Sequence, residues 1–176
     1  EKITIERFES THGGGNLQIK GGVLFDRFSR FSPELKLAAR GIGFRQQNYL
    51  ALKVSGDLEL TGKNVPYTLS GKCNLDEGRL SDFNVGPTSA VSEEPTLKFD
   101  LNCHAEKKFV VDTEVMQAEW KGDFLLSGNN ISPGLTGTAD ASKGIVFFKE
   151  TKFNLVSGNV KFEDKRSEEH TSELQS

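Results

Sequence analysis

Apolar and polar side chains alternate along most of the chain: Val54, Leu58 and Leu60; Leu69, Cys73 and Leu75; Leu97, Phe99, Leu101, Cys103 and Ala105; Trp120, Phe124 and Leu126; Phe153 and Leu155. Leu135 and Phe147 extend the same apolar set. Successive side chains of a strand point to opposite faces, so each run predicts a strand with one dry and one wet side. Between the runs lie Gly62-Lys63-Asn64, Asp76-Glu77-Gly78 and Gly128-Asn129-Asn130, residue types that tolerate positive φ and so predict tight turns. Strands joined by tight turns predict an antiparallel meander. Ser32-Pro33 through Gly41 carries helix-like start and stop signals, which makes a short helix there the competing expectation.

An internal repeat decides that competition. At an offset of 66, Gly56, Gly62, Gly71 and Gly78 fall on Gly122, Gly128, Gly137 and Gly144, with Asp57 on Asp123, Leu60 on Leu126 and Leu69 on Leu135. Upstream, Leu35, Leu37 and Ala39 meet Leu101, Cys103 and Ala105, which alternate strictly, so 32–41 is expected to be a strand too. The repeat divides the chain into a partial unit over 1–30, a unit over 31–96 and a unit over 97–165. The partial unit is aligned by Gly15 and Gly22, which keep the spacing of Gly71 and Gly78, and by Phe25 and Phe31, which keep that of Phe147 and Phe153. Residues 166–176 share none of this periodicity. They resemble the in-frame translation of a sequencing adaptor, a scar foreign to the fold. The natural chain is accordingly expected to run past Lys165 and to begin before Glu1.

Composition narrows the function classes. Eighteen Gly and thirteen Phe suit a strand-and-turn chain, and a net charge of -3 spread along the sequence leaves no basic stripe for a phosphate backbone. Nucleic acid is therefore not an expected partner. No apolar run reaches bilayer-spanning length and the start has no signal-peptide pattern, so any membrane anchor is expected outside this stretch.

The candidate chemistry is thin. His12-Gly13-Gly14-Gly15 is similar to an esterase oxyanion loop, but no Gly-x-Ser-x-Gly elbow accompanies it, and Gly41-Ile42-Gly43 lacks the rest of a dinucleotide fingerprint. Cys103 and His104 are neighbours on a strand, point to opposite faces and cannot share a metal. Cys73 and Cys103 read as small core residues, while their spacing leaves a disulfide open in an oxidising compartment. Asp57, Asp76, Asp112 and Asp123 fall at turns or on the wet face. Neither an enzyme nor a bound cofactor or metal is expected.

The unit Val54-Ser-Gly-Asp-Leu-Glu-Leu-Thr-Gly62 followed by Pro66-Tyr-Thr-Leu-Ser-Gly71 resembles the C-terminal region of the TamB family, within the AsmA-like group. The second copy is closer, with Gly122-Asp-Phe-Leu-Leu-Ser-Gly128, Pro133-Gly-Leu-Thr-Gly137, Gly144-Ile-Val-Phe-Phe148 and Phe153-Asn-Leu-Val-Ser-Gly-Asn-Val-Lys-Phe162. The stretch from Asn84 to Pro95, rich in Pro, Ser and Glu, departs from the pattern and predicts an exposed loop between units. The resemblance implies an all-β fold, an elongated antiparallel sheet curled into a groove, in a periplasmic protein tethered to the inner membrane. It implies carriage of phospholipid between membranes, with an Omp85-type outer-membrane barrel as partner. The expected groove lining is Val54, Leu58, Leu60, Leu69, Leu75, Leu97, Phe99, Leu101, Cys103, Trp120, Phe124, Leu126, Leu135, Phe147, Phe153 and Leu155. The same alternation would also fill the closed core of a sandwich or solenoid used for adhesion or scaffolding. Periodicity says which residues share the dry face, not what that face meets.

Overall fold

β-branched and aromatic residues at alternate positions favour extended backbone wherever one face can be dry, and the computed structural model is built almost wholly of such segments. It describes residues 1–25, 31–46, 49–81 and 94–163. Ten strands run in chain order: β1 (Lys2–His12), β2 (Gly15–Phe25), β3 (Phe31–Gln46), β4 (Leu50–Thr61), β5 (Tyr67–Leu80), β6 (Leu97–Asp112), β7 (Met116–Gly128), β8 (Pro133–Phe148), β9 (Thr151–Leu155) and β10 (Gly158–Phe162). They form one sheet in which β1 to β8 lie side by side in sequence order, β10 follows β8, and β9 also pairs with β8. The helix-like segment at 32–41 is strand β3, as its repeat partner requires.

The repeat is visible in the strands themselves. β3, β4 and β5 begin at Phe31, Leu50 and Tyr67, and β6, β7 and β8 begin at Leu97, Met116 and Pro133, each 66 positions later. One three-stranded unit is laid beside the next. Their junction departs from the predicted meander: β5 and β6 pair in parallel, Tyr67 opposite Leu97 through Cys73 opposite Cys103, whereas the other ladders are antiparallel. A parallel pair needs a connection that travels back along the strand. Most of the predicted 84–95 loop, like the 166–176 tail, lies outside the described residues.

Two predicted turns are turns. Gly62 to Asn64 separates β4 from β5, and the Gly128-Asn129-Asn130 turn is held by the Asn129 carboxamide oxygen, which accepts from the amides of Ile131 and Ser132 at 2.9 and 2.8 Å. The third is not a turn: Asp76-Glu77-Gly78 lies inside β5, where the register against β4 shifts by one residue between Leu75 and Glu77. It is a β-bulge. Others interrupt β1 between Ile5 and Phe8, β3 between Ala39 and Ile42, and β8 between Ala141 and Lys143. The bulge of β8 sits 66 positions after that of β5, so the irregularity belongs to the repeat. Each extra residue re-aims the strand, so that apolar residues on both sides of the bulge still face the same way.

The glycines follow the same logic. Gly56, Gly71, Gly78, Gly122, Gly137 and Gly144 stand inside strands on the apolar face, opposite Cys73, Leu58, Leu52, Ala139, Phe124 and Ala118, not at turns. Gly137 has φ +139° and an added Cβ would stand 2.1 Å from the Asp123 carbonyl oxygen; Gly71 has φ +132° and meets Asp57 in the same way. Gly21 combines φ +136° with a comparable close approach, to the Glu34 carbonyl oxygen of the following strand. Gly22 instead pairs with Thr4 and Glu34 on the polar face, which corrects the Gly15/Gly22 alignment.

The opposite face carries cross-strand polar pairs: Arg40 with Asp57 at 2.8 Å, His104 with Asp123 at 2.6 Å, Asn159 with Asp140 at 2.7 Å, and Arg79 with Asp112. At the first edge, the Arg7 guanidinium hydrogen-bonded to Glu9 holds that carboxyl below the usual carboxylate range. These pairs are solvent-exposed, so their contribution is small and screened by salt. Asp57→Asn is expected to lower unfolding free energy by under about 1 kcal/mol, a difference that urea titration should lose at high ionic strength.

Candidate lipid-binding face

Residues directly opposite one another in a sheet share a face, so the ladder registers assign every side chain. One row reads Ile19, Leu37, Leu58, Gly71, Leu101, Leu126 and Leu135 from β2 to β8. The next reads Leu17, Ala39, Gly56, Cys73, Cys103, Phe124, Gly137 and Phe162, ending on β10. Beyond the bulges, Ile42, Val54 and Leu75 continue the strip, as do Phe109 beside Trp120, and Val111 beside Ala118. The result is an apolar band that crosses the sheet from β2 to β10.

Among the described residues there is no helix and no second sheet to cover this band. Its middle is sheltered nonetheless: Ile42, Leu101, Ala105, Val111, Ala118, Ala139 and Ala141 are buried, with Leu101 at 7% exposure, and all seven lie on this face. A single layer buries side chains in this way by curling toward them, so that neighbouring strands shelter one another. Small and absent side chains leave room for the curl, since Gly56, Gly122, Ala105, Ala118, Ala139 and Ala141 stand on this face. Over Gly137 the rings of Phe124 and Phe162 close to 5.7 Å between centroids. Toward the rims the band opens, with Leu135 at 44% and Phe153 at 52% exposure.

Of the expected lining residues, Val54, Leu58, Leu60, Leu69, Leu75, Leu97, Phe99, Leu101, Cys103, Trp120, Phe124, Leu126, Leu135, Phe153 and Leu155 share this face. Phe147 does not. It stands opposite Lys152 on the polar side, with the Lys152 ammonium 5.8 Å from its ring centroid, while its neighbour Val146 opposite Phe153 takes the apolar position. The bulge at Ser142-Lys143 is the cause, because one extra residue reverses the parity of everything that follows it in the strand. Phe109, Val111, Val160 and Phe162 belong to the band and escape a reading confined to the strongest alternations; for the last two, the alternation of Gly158 through Phe162 was the available signal.

Cys73 and Cys103 are joined as a disulfide, with Cα atoms 4.6 Å apart. They are directly opposite in the parallel ladder, which corrects their reading as plain core thiols. The Trp120 indole N–H is buried at this face with no acceptor among the described residues. No cluster of His, Cys, Asp or Glu among the described residues could hold a metal ion, and no helix there is long and apolar enough to cross a membrane.

Fold and face together define a repeat-built β-groove protein: one curled sheet, apolar within and polar without. The family model of the TamB C-terminal domain matches residues 6–169, and the chain belongs to the TamB family, a family of cell-envelope proteins. No curated protein and no solved structure matches it.

Proposed function

We propose that this chain is a section of a periplasmic conduit in which phospholipid acyl chains travel along the apolar band between inner and outer membranes, while head groups stay in solvent. The observation that carries the reading is the band itself, which nothing among the described residues covers, since a contiguous apolar surface facing water usually marks a binding site. Each methylene moved from water onto such a surface gains about 0.8 kcal/mol, enough for a chain to be held and weak enough per step for it to slide. No covalent chemistry is required of any residue, and the protein acts as a carrier, not an enzyme. The Cys73–Cys103 disulfide suits an oxidising compartment such as the periplasm. Tethering to the inner membrane by a segment outside these residues, and engagement of an Omp85-type outer-membrane barrel, belong to the same proposal through the family.

Photo-crosslinking residues introduced in cells at Phe124 and Leu135 are expected to give phospholipid adducts by mass spectrometry. Probes at Asp100 and Lys121, whose side chains point to the polar face, should give none. Equal labelling of both sets would dismiss the inner-face path, and protein adducts in place of lipid at the inner set would favour a scaffold.

A further inference from the structure

The junction between the two three-stranded units is the one parallel ladder among the described residues. Three features weaken it. Parallel pairing is slightly less stable per residue than antiparallel pairing. Leu80 and Leu97, the facing ends of its two strands in sequence, are separated by more residues than a tight turn holds, so bringing the strands together costs more entropy. Finally, the ladder breaks after Asn74 opposite His104 and resumes only at Gly78 opposite Phe109.

Cys73 and Cys103 are the last groove-facing pair before that break, one position ahead of Asn74 and His104. The repeat counterparts of these positions are Ala139 and Leu37, which lie in antiparallel ladders and carry no sulfur. The cysteines thus occur only where the sheet changes pairing mode. A one-residue slip at that ladder would turn the apolar set of a whole unit toward solvent.

We propose that the Cys73–Cys103 disulfide is a redox-sensitive lock that holds the two repeat units in register and keeps the groove continuous across their junction. Closing it transfers two electrons: the two thiols lose their protons, one S–S bond forms, and a disulfide oxidant of the thiol-exchange class is reduced to its dithiol. Opening it by a dithiol reverses each step. The lock closes a loop of sequence separation 30, and a cross-link gains more as the loop it closes lengthens.

The test needs no lipid, so its outcome is separate from that of the conduit proposal. Hydrogen exchange of the intact chain is followed by mass spectrometry with and without a phosphine reductant, and in a Cys73→Ala/Cys103→Ala variant. Alkylation should find both thiols blocked until reductant is added. Reduction should speed exchange in the β5–β6 ladder, over 69–74 and 99–104, by about thirty-fold or more, while the β7–β8 ladder keeps its protection. The double variant should match the reduced protein; if it fails to fold, the reduced native sequence carries the comparison. Free thiols before reduction, unchanged exchange at the junction, or an equal rise in every ladder would each overturn the lock.

Discussion

Gly137→Ala is expected to lower the unfolding free energy by about 3 kcal/mol, an effect usually seen only with large core truncations. Two costs combine. The residue sits at φ +139°, a conformation that side-chain-bearing residues adopt only with strain, and its new Cβ would lie 2.1 Å from the Asp123 carbonyl oxygen and 2.9 Å from the Phe124 Cα. Neither neighbour is the free end of a flexible side chain, so the β7–β8 ladder itself must move. Gly71→Ala should behave alike, because its Cβ would meet Asp57 and Leu58 of β4 at 2.4 and 2.9 Å. Gly14 is the control, since at φ +82° it has nothing within 4 Å and its replacement carries the φ cost alone. Denaturant midpoints should therefore fall steeply for Gly71→Ala and Gly137→Ala and modestly for Gly14→Ala. Equal midpoints for all three would mean that the sheet does not depend on its glycine kinks.

Leu135→Asp should empty the groove of lipid without unfolding it. Leu135 lies on the apolar face yet is 44% exposed, so a carboxylate there keeps its water. An acyl chain passing it loses apolar contact, and excluding only two methylenes costs about 1.6 kcal/mol, more than ten-fold in occupancy. Trp120, the single tryptophan of the chain and a residue of the same face, supplies the readout through quenching by phospholipids brominated in their acyl chains. The native chain should be quenched, and the Leu135→Asp chain at least about ten-fold less at equal lipid, with thermal midpoints matched. Full quenching of a folded Leu135→Asp chain would remove lipid carriage as the role of this face. Leu101→Asp is a poor substitute, because at 7% exposure its carboxylate would be buried and would unfold the sheet.

The alternation of Leu97, Phe99, Leu101 and Cys103 made β6 legible, and the 66-residue offset then carried the same conformation to β3 against its helix-like signals. The bulges were not legible. Asp76-Glu77-Gly78 has the composition of a turn, and only its pairing with Lys53 and Leu52 of β4 shows that the strand runs through it. Phe147 was lost for the same reason, one strand unit later.

By itself the sequence determined that the chain is all β, repeats every 66 residues, and segregates apolar from polar side chains within each strand, because these are properties of neighbouring residues. The tertiary structure alone decided which strands lie side by side, that one ladder is parallel, that two cysteines meet across it, and that nothing among the described residues covers the apolar band. Those depend on contacts between residues far apart in the chain, where local alternation carries no information about the partner.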